Sequence, residues 1–430
     1  MGRATYLPLR RGPSSLTIRG CRSDTIAVRP LAAVAVLVTA LALVGAGAAQ
    51  TRSDPALQKR LARALVVPHV RQSQTGALAV ELGTGRTVFA RNAAVPFAPA
   101  STEKLPVTLA ALAVLGPAFR FQTDVLGEGS QEGAVWRGSL VLQGHGDPTL
   151  SSGDLKTLAL QLRRLGLRRI TGDVVGDESW FDSRRTAPGW KSSFYVNESP
   201  PLSALAVDRA HYRGAVSSQP ALGAALAFRD TLRAAGIAVG GRPTTGRADA
   251  EAFPLVSVTS PTLAPIVRAM DLESDNFTAE LLVKELGAIA ADRGTTAAGA
   301  AVVTKQLAAA DVPLAGVRIA DGSGLSLLDR LTPNALVGIL EAAWATPQVR
   351  DRFVGALPVA GVSGTLHDRM RRAPARGNVV AKTGTTSIAS ALSGFVRGRY
   401  VFAVVHNGHP VASWWARVAQ DRFATVLAAQ

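Results

Sequence analysis

Residues 97–116, "FAPASTEKLPVTLAALAVLG", set Ser101 and Lys104 three positions apart just ahead of a nearly unbroken apolar run. Lysine is scarce here, with seven against forty arginines. A serine hydroxyl becomes a good nucleophile only when a base takes its proton. Arginine stays protonated in proteins and cannot serve, whereas lysine can once burial or nearby cations lower its pKa. Residues three apart on a helix share a face, with Cβ atoms about 5–6 Å apart, so Ser-x-x-Lys at a helix start brings amine to hydroxyl. The free N–H groups of a first turn also lie where an oxyanion could be stabilised. Pro106 is compatible with that turn, where a missing N–H costs little. A serine N-cap followed by a solvated lysine is the plainer meaning of the same residues, so this stretch does not decide alone.

Two further stretches do. "LESDNFTAELLVKELG" (272–287) opens a helix with Ser274-Asp275-Asn276, and "VVAKTGTTS" (379–387) puts Lys382-Thr383-Gly384-Thr385 on a strand. S-x-x-K, S-D-N and K-T-G in this order form the signature of serine acyl-transfer enzymes that react with penicillin. Other chemistries fall away. There is no G-x-S-x-G and no His-Glu-x-x-His, and the six histidines are scattered, with His406 and His409 beside a turn. No metal site and no cofactor is expected. Cys21 is the only cysteine, which leaves no thiol catalysis, disulfide or cysteine-bound zinc in the body of the chain.

Around these motifs the sequence resembles the penicillin-binding protein 4 type of D-alanyl-D-alanine carboxypeptidase/endopeptidase, the S13 serine peptidases. The matching segments include "PASTEKLPVTLAALAVLGPAFRFQT", "GDPTL", "ITGDVVGDESWFD", "PPLSALAVDR", "SPTLAPIVRAMDLESDNFTAELL", "ADGSGLS", "LPVAGVSGTL" and "AKTGTTSIASALSGFVRG", colinear from residue 76 to 408. The resemblance implies an α+β fold, the transpeptidase fold of serine β-lactamases and penicillin-binding proteins, in which an antiparallel sheet is flanked by helices and a small domain is inserted. It implies acylation of Ser101 by the penultimate D-Ala carbonyl, with Lys104 as base. Ser274 would relay a proton to the leaving amine, and Asn276 would hold the substrate amide and Lys104. Lys382, Thr383, Gly384 and Thr385 would bind the terminal carboxylate, and the N–H groups of Ser101 and Thr385 would form the oxyanion hole. Expected partners are peptidoglycan stem peptides and β-lactam antibiotics. The same chemistry would serve a β-lactamase, or survive unused in a penicillin-binding scaffold. The intact motifs argue against the scaffold, and the long insertion and missing deacylating-glutamate segment argue against the lactamase.

Three departures from the family accompany this. Ser101 and Ser274 are only 173 residues apart, so a second nested domain is expected to be absent. Leu327 stands where the family has Arg after "DGSGLS", and Ser192 where it often has Asp. Both changes bear on recognition of the stem peptide's third residue and suggest tolerance of an amidated side chain.

Residues 1–49 read as a signal peptide or signal anchor. Arg3, Arg10, Arg11, Arg19, Arg22 and Arg29 precede "LAAVAVLVTALALVGAGAA", a charged region, an apolar region and a small-residue exit. Cleavage near Ala48–Gln50 would leave about 380 residues, enough for two or three domains. An uncleaved anchor is the alternative, because an apolar run of this length can just span a bilayer. Either way the body is expected outside the cytoplasm. The net charge of +16, about +11 without the leader, suits peripheral association with an anionic envelope. No nucleic-acid motif accompanies it, and "RRLGLRR" (163–169) reads as the outer face of a helix.

Residues 75–92 show two strand-like runs around a Gly-Thr-Gly turn, and 377–408 three successive strands. Residues 101–115 read as a buried helix, and amphipathic helices are expected at 265–291, 296–310 and 332–346. Strands at both ends with helices between predict one antiparallel sheet built from both ends of the chain. The catalytic domain would comprise 50–121 and 265–430, with the Gly/Pro-rich stretch 122–264 as an insertion shorter than usual for the family.

Overall fold

The computed structural model describes residues 54–430; the leader reading falls outside them. Along the chain the strands are β1 (Thr75–Glu81), β2 (Arg86–Arg91), β3 (Gln122–Glu132), β4 (Val135–Gly144), β5 (Arg169–Ile170), β6 (Val174–Asp177), β7 (His211–Tyr212), β8 (Ala215–Val216), β9 (Ala238–Val239), β10 (Pro243–Thr245), β11 (Phe253–Thr259), β12 (Val379–Thr385), β13 (Ala389–Val396) and β14 (Tyr400–Asn407). The helices are α1 (Pro55–Ala64), α2 (Lys104–Val114), α3 (Ser152–Arg164), α4 (Pro220–Ala234), α5 (Leu263–Glu273), α6 (Asn276–Ala291), α7 (Thr296–Ala309), α8 (Pro333–Ala345), α9 (Pro347–Ala356) and α10 (Ser413–Ala428).

The first sheet has the order β12-β13-β14-β1-β2 and is antiparallel throughout. The two ends of the chain meet at its centre, with Ala77 opposite Val404 and Ala79 opposite Phe402. Alternation along each strand sends side chains to opposite faces, and both faces are buried. Leu78, Val80, Val401, Ala403 and Val405 join a core with α2 and α8, while Ala77, Ala79, Phe402 and Val404 join another with α1 and α10. Each such Val, Leu or Phe is worth about 1.5–3 kcal/mol by burial. The sheet is therefore a rigid platform, and β12 is its edge strand.

Residues 122–259 contribute all of a second sheet, which follows the order β10-β6-β4-β3-β11 with β5 and β9 alongside. Its core packs against α3 and α4. Between β6 and α4 the chain makes a two-stranded β7-β8 turn. "RRLGLRR" is no helix face: α3 ends at Arg164, a turn follows, and Arg169 opens β5.

The helical stretch expected over 265–291 is broken. α5 ends at Glu273, its C-cap Ser274 takes a left-handed conformation (φ 60°), and Asp275 caps α6 by accepting from Thr278 N–H at 3.1 Å. Likewise the helix expected from 101 begins with a 3₁₀ turn over Ala100–Glu103, and Lys104 is the first α-helical residue. Both breaks fall at expected site residues.

Candidate active site

Three segments converge between the edge of the first sheet and the helices. The turn carrying Ser101 is held open by Ala100, whose left-handed backbone (φ 48°) costs about 1–2 kcal/mol for a residue with a Cβ. Gly324 packs against it, and a Cβ there would stand 2.0 Å from Ala100 O. On the other side lies β12. A Cβ on Gly384 would fall 2.9 Å from Pro99 O and 3.0 Å from Ser101 N, so the K-T-G glycine lets the strand approach the backbone of the candidate nucleophile.

Lys104 is fully buried. Its Nζ lies 3.2 Å from Ser101 Oγ and donates to Asn276 Oδ1 at 2.8 Å and Ser323 O at 2.9 Å. A neutral amine has two N–H donors and one lone pair. In the neutral form the two donors go to Asn276 and Ser323, which leaves the lone pair facing the Ser101 hydroxyl. Asn276 is fixed in turn, because its Nδ2 donates to Glu198 O at 2.9 Å. Burial pushes the Lys104 amine below its ordinary range, against the pull of Asp321, Asp275, Asp271 and Glu280.

Lys382 is also fully buried. Its Nζ donates to Ser274 Oγ at 2.8 Å and to Thr383 O at 3.1 Å. Burial, and then the charge of Lys104, push it down to about 7, with Asp271 opposing. Asp271 itself is raised by burial to about 6, while Lys382 and a 2.8 Å hydrogen bond from Thr108 Oγ1 hold it down. Thr383 Oγ1 donates to Thr365 Oγ1 at 2.7 Å, and Arg417 Nη2 reaches Thr385 Oγ1 at 3.4 Å.

Ser101, Lys104, Ser274, Asn276, Lys382 and Gly384 are thus brought together from three separate stretches, with Thr383 and Thr385 at the open end of the strand. Leu327 and Ser192 lie on neighbouring rim segments: Leu327 N–H donates to Gly189 O at 3.1 Å, and Lys191, next to Ser192, reaches Ser387 Oγ at 3.2 Å. Among the described residues no group of His, Cys, Asp and Glu is arranged to hold a metal ion.

Several supporting residues escaped the sequence reading. Arg209, from the insertion, grips Asp275 through two hydrogen bonds of 2.9 and 2.6 Å and stacks on Phe277 at 5.0 Å. That clamp fixes the break between α5 and α6. The "DGSGLS" loop winds around two carboxylates. Asp321 accepts from the N–H groups of Gly324 and Ser326, both at 2.7 Å, and from Trp190 Nε1 at 2.9 Å. Glu280 accepts from Gly322 and Ser323 N–H at 3.1 and 2.9 Å. The winding points the Ser323 carbonyl at Lys104. Glu103 sits behind it, fully buried, its carboxyl driven well above the ordinary range by burial and by Asp321 and Glu280.

The family described as D-Ala-D-Ala carboxypeptidase 3 (S13) matches residues 57–226 and 213–429. The D-alanyl-D-alanine carboxypeptidase of Actinomadura sp. (strain R39) is 30% identical over 95% of this chain and 90% of its own. The carboxypeptidase DacB of Mycolicibacterium smegmatis is 32% identical over 80% and 78%. In structure the chain resembles penicillin binding protein 4 of Haemophilus influenzae, with a TM-score of 0.76 over 86% of this chain and 98% of the other at 23% identity. That likeness shows the fold, an antiparallel sheet flanked by helices.

Proposed function

The chain belongs to the D-Ala-D-Ala carboxypeptidase (S13) family, and from that membership we propose that it is a serine D,D-carboxypeptidase/endopeptidase that cleaves D-Ala-D-Ala peptides of peptidoglycan through an acyl-enzyme on Ser101. The observation that carries this is the set of three contacts on Lys104 Nζ. The neutral amine takes the Ser101 proton while Oγ attacks the penultimate D-Ala carbonyl. The N–H groups of Ser101 and Thr385 receive the oxyanion. Ser274 passes a proton to the departing nitrogen, the C–N bond breaks, and D-Ala or the cross-linked strand leaves. Water then attacks the ester by the reverse proton path, giving the shortened peptide and free Ser101.

Both buried amines are pushed down, Lys382 to about 7, so as pH rises through that value the pair gives up one of its two protons. A terminal carboxylate at Lys382, Thr383 and Thr385 draws the remaining proton to Lys382 and leaves Lys104 neutral. Substrate binding therefore readies the base. Penicillin carries an equivalent carboxylate and a strained amide, and its opened ring stays attached, so it acylates Ser101 and remains. Residues 1–49 support a place outside the cytoplasm, where that substrate is found, and the basic body supports contact with the anionic envelope.

The test is intact mass after incubation with benzylpenicillin. One long-lived adduct, absent from Ser101→Ala, is expected. Rapid consumption of the drug without an adduct would reassign the chain as a β-lactamase, and an intact drug with no adduct would make it a scaffold.

A further inference from the structure

The start of α10 and the loop before it carry features that acyl transfer does not use. Trp414 is 73% exposed, the most exposed large apolar side chain among the described residues. It lies three residues before Arg417 on α10, so the two share a helix face, and Arg417 touches Thr385 at the end of β12. Exposed apolar surface of this kind marks interaction sites. Beside it, a concavity of about 280 Å³ is lined by His69, Arg71, Gln74, Asn407 and His409, with no carboxylate in its wall. Among the described residues the side chains of Arg71, Gln74 and His409 have no hydrogen-bond partner. The ring of His69 is backed by Trp415 at 6.4 Å.

The wall of this concavity is tied to the cleft. Asn407 accepts from Ala98 N–H at 2.8 Å and donates to Ala98 O at 3.0 Å, three residues before Ser101. The N–H groups of Gly408 and Val411 donate to Ile388 O and Ser387 O, each at 3.0 Å, just past β12.

We infer that this face binds the glycan strand to which the stem peptide is attached; the inference rests on the D,D-peptidase reading. With its carboxylate at Lys382, a peptide laid along the free edge of β12 runs toward Ser387. From the Thr385 N–H that holds the penultimate carbonyl, the four residues before the scissile bond extend about 14 Å, past Ser387 at about 7 Å along the strand direction and on toward Val411, whose N–H donates to Ser387 O. The sugar end therefore arrives where the concavity opens. N-acetylated amino sugars present a flat C–H face that suits the indole of Trp414. Their hydroxyl and acetamide oxygens accept from Arg71, Gln74 and His409.

The experiment compares D-Ala release from a free stem pentapeptide and from the same peptide carried on its wall disaccharide. The wild-type chain is expected to favour the disaccharide-linked substrate roughly tenfold in kcat/KM, through KM. Trp414→Ala, and separately Arg71→Ala with Gln74→Ala, should each shrink that ratio about fivefold or more. A wild-type ratio near one, a ratio that neither variant moves, or equal losses on both substrates would overturn the inference. Repeating the comparison in about 0.5 M salt, where the Debye length is only a few ångströms, separates the occupants. A preserved ratio supports recognition of the neutral sugar, and a lost one means the preference is electrostatic and overturns the assignment. Failure of the underlying reading would show separately, as a missing benzylpenicillin adduct on Ser101.

Discussion

Lys104 and Lys382 are two fully buried lysines facing one cleft, yet their surroundings differ in charge. Around Lys104 lie Asp321, Asp275, Asp271 and Glu280, all favouring its protonated form against burial. Around Lys382 only Asp271 does so, and the charge of Lys104 adds to the burial penalty. In the empty cleft the shared proton therefore rests more easily on Lys104, where it blocks the base. The lesson is that burial alone makes a lysine deprotonable, while its neighbours decide when. The family's substrate brings the carboxylate that Lys382 lacks.

The largest effect should come from removing the base. Lys104→Arg keeps a cation but no proton acceptor at this pH, so acylation by benzylpenicillin should slow by about 10²–10⁴-fold, the range of general-base catalysis. Intact mass against time measures it. A variant within threefold of wild type would show that Lys104 is not the base and that the two lysines do not divide the work as described.

Lys382→Gln should cost less, because it removes an anchor. A hydrogen bond to a charged group is worth about 1.5–3 kcal/mol, so kcat/KM for a D-Ala-D-Ala peptide should fall roughly 10- to 100-fold, mainly in KM. The peptide amide, which has no terminal carboxylate, should be affected far less. The pH profile sharpens the point. In the wild type the pair loses its first proton near 7, so kcat/KM should rise as pH rises through that value. Without the Lys382 charge, Lys104 keeps its proton to higher pH, and in Lys382→Gln the rising limb should move up. An unmoved limb would mean that the two amines are not coupled.

How much of this was readable beforehand follows from the same residues. Ser101 and Lys104, Ser274 and Asn276, and Lys382 through Thr385 are short-range patterns, and strand alternation at both ends of the chain foretold the antiparallel sheet. The S-D-N stretch already marked a helix start at Ser274, but the left-handed turn that ends the preceding helix there was hidden, because a serine gives no local sign of it. The Arg209–Asp275 clamp that braces it spans 66 residues. The Ser323 carbonyl on Lys104 was hidden for another reason: a backbone oxygen carries no side-chain identity. "RRLGLRR" misled because its arginines lie on both sides of a helix end, and composition does not locate that end.

The smallest effect tests whether burial by itself perturbs a group without serving the reaction. Glu285 on α6 is buried away from the cleft residues and accepts from Trp180 Nε1 at 2.8 Å. Burial raises its carboxyl from 4.5 to about 7, with Trp180 opposing. Below the unfolded value of 4.5 both states are protonated and the fold bears no cost. Between there and about 7 the unfolded chain releases a proton that the native chain keeps, so stability falls as pH rises. Above about 7 the cost is complete, at most ~3 kcal/mol from a shift of this size. Glu285→Gln keeps an acceptor for Trp180 and removes the titration. Its melting temperature should exceed the wild type's by a few degrees at about pH 8 and match it at about pH 4, with unchanged penicillin acylation at both. A gain independent of pH would trace the effect to packing. A change in acylation would show that burial at Glu285 is felt in the cleft, and the contrast between the two lysines would then no longer be a local one.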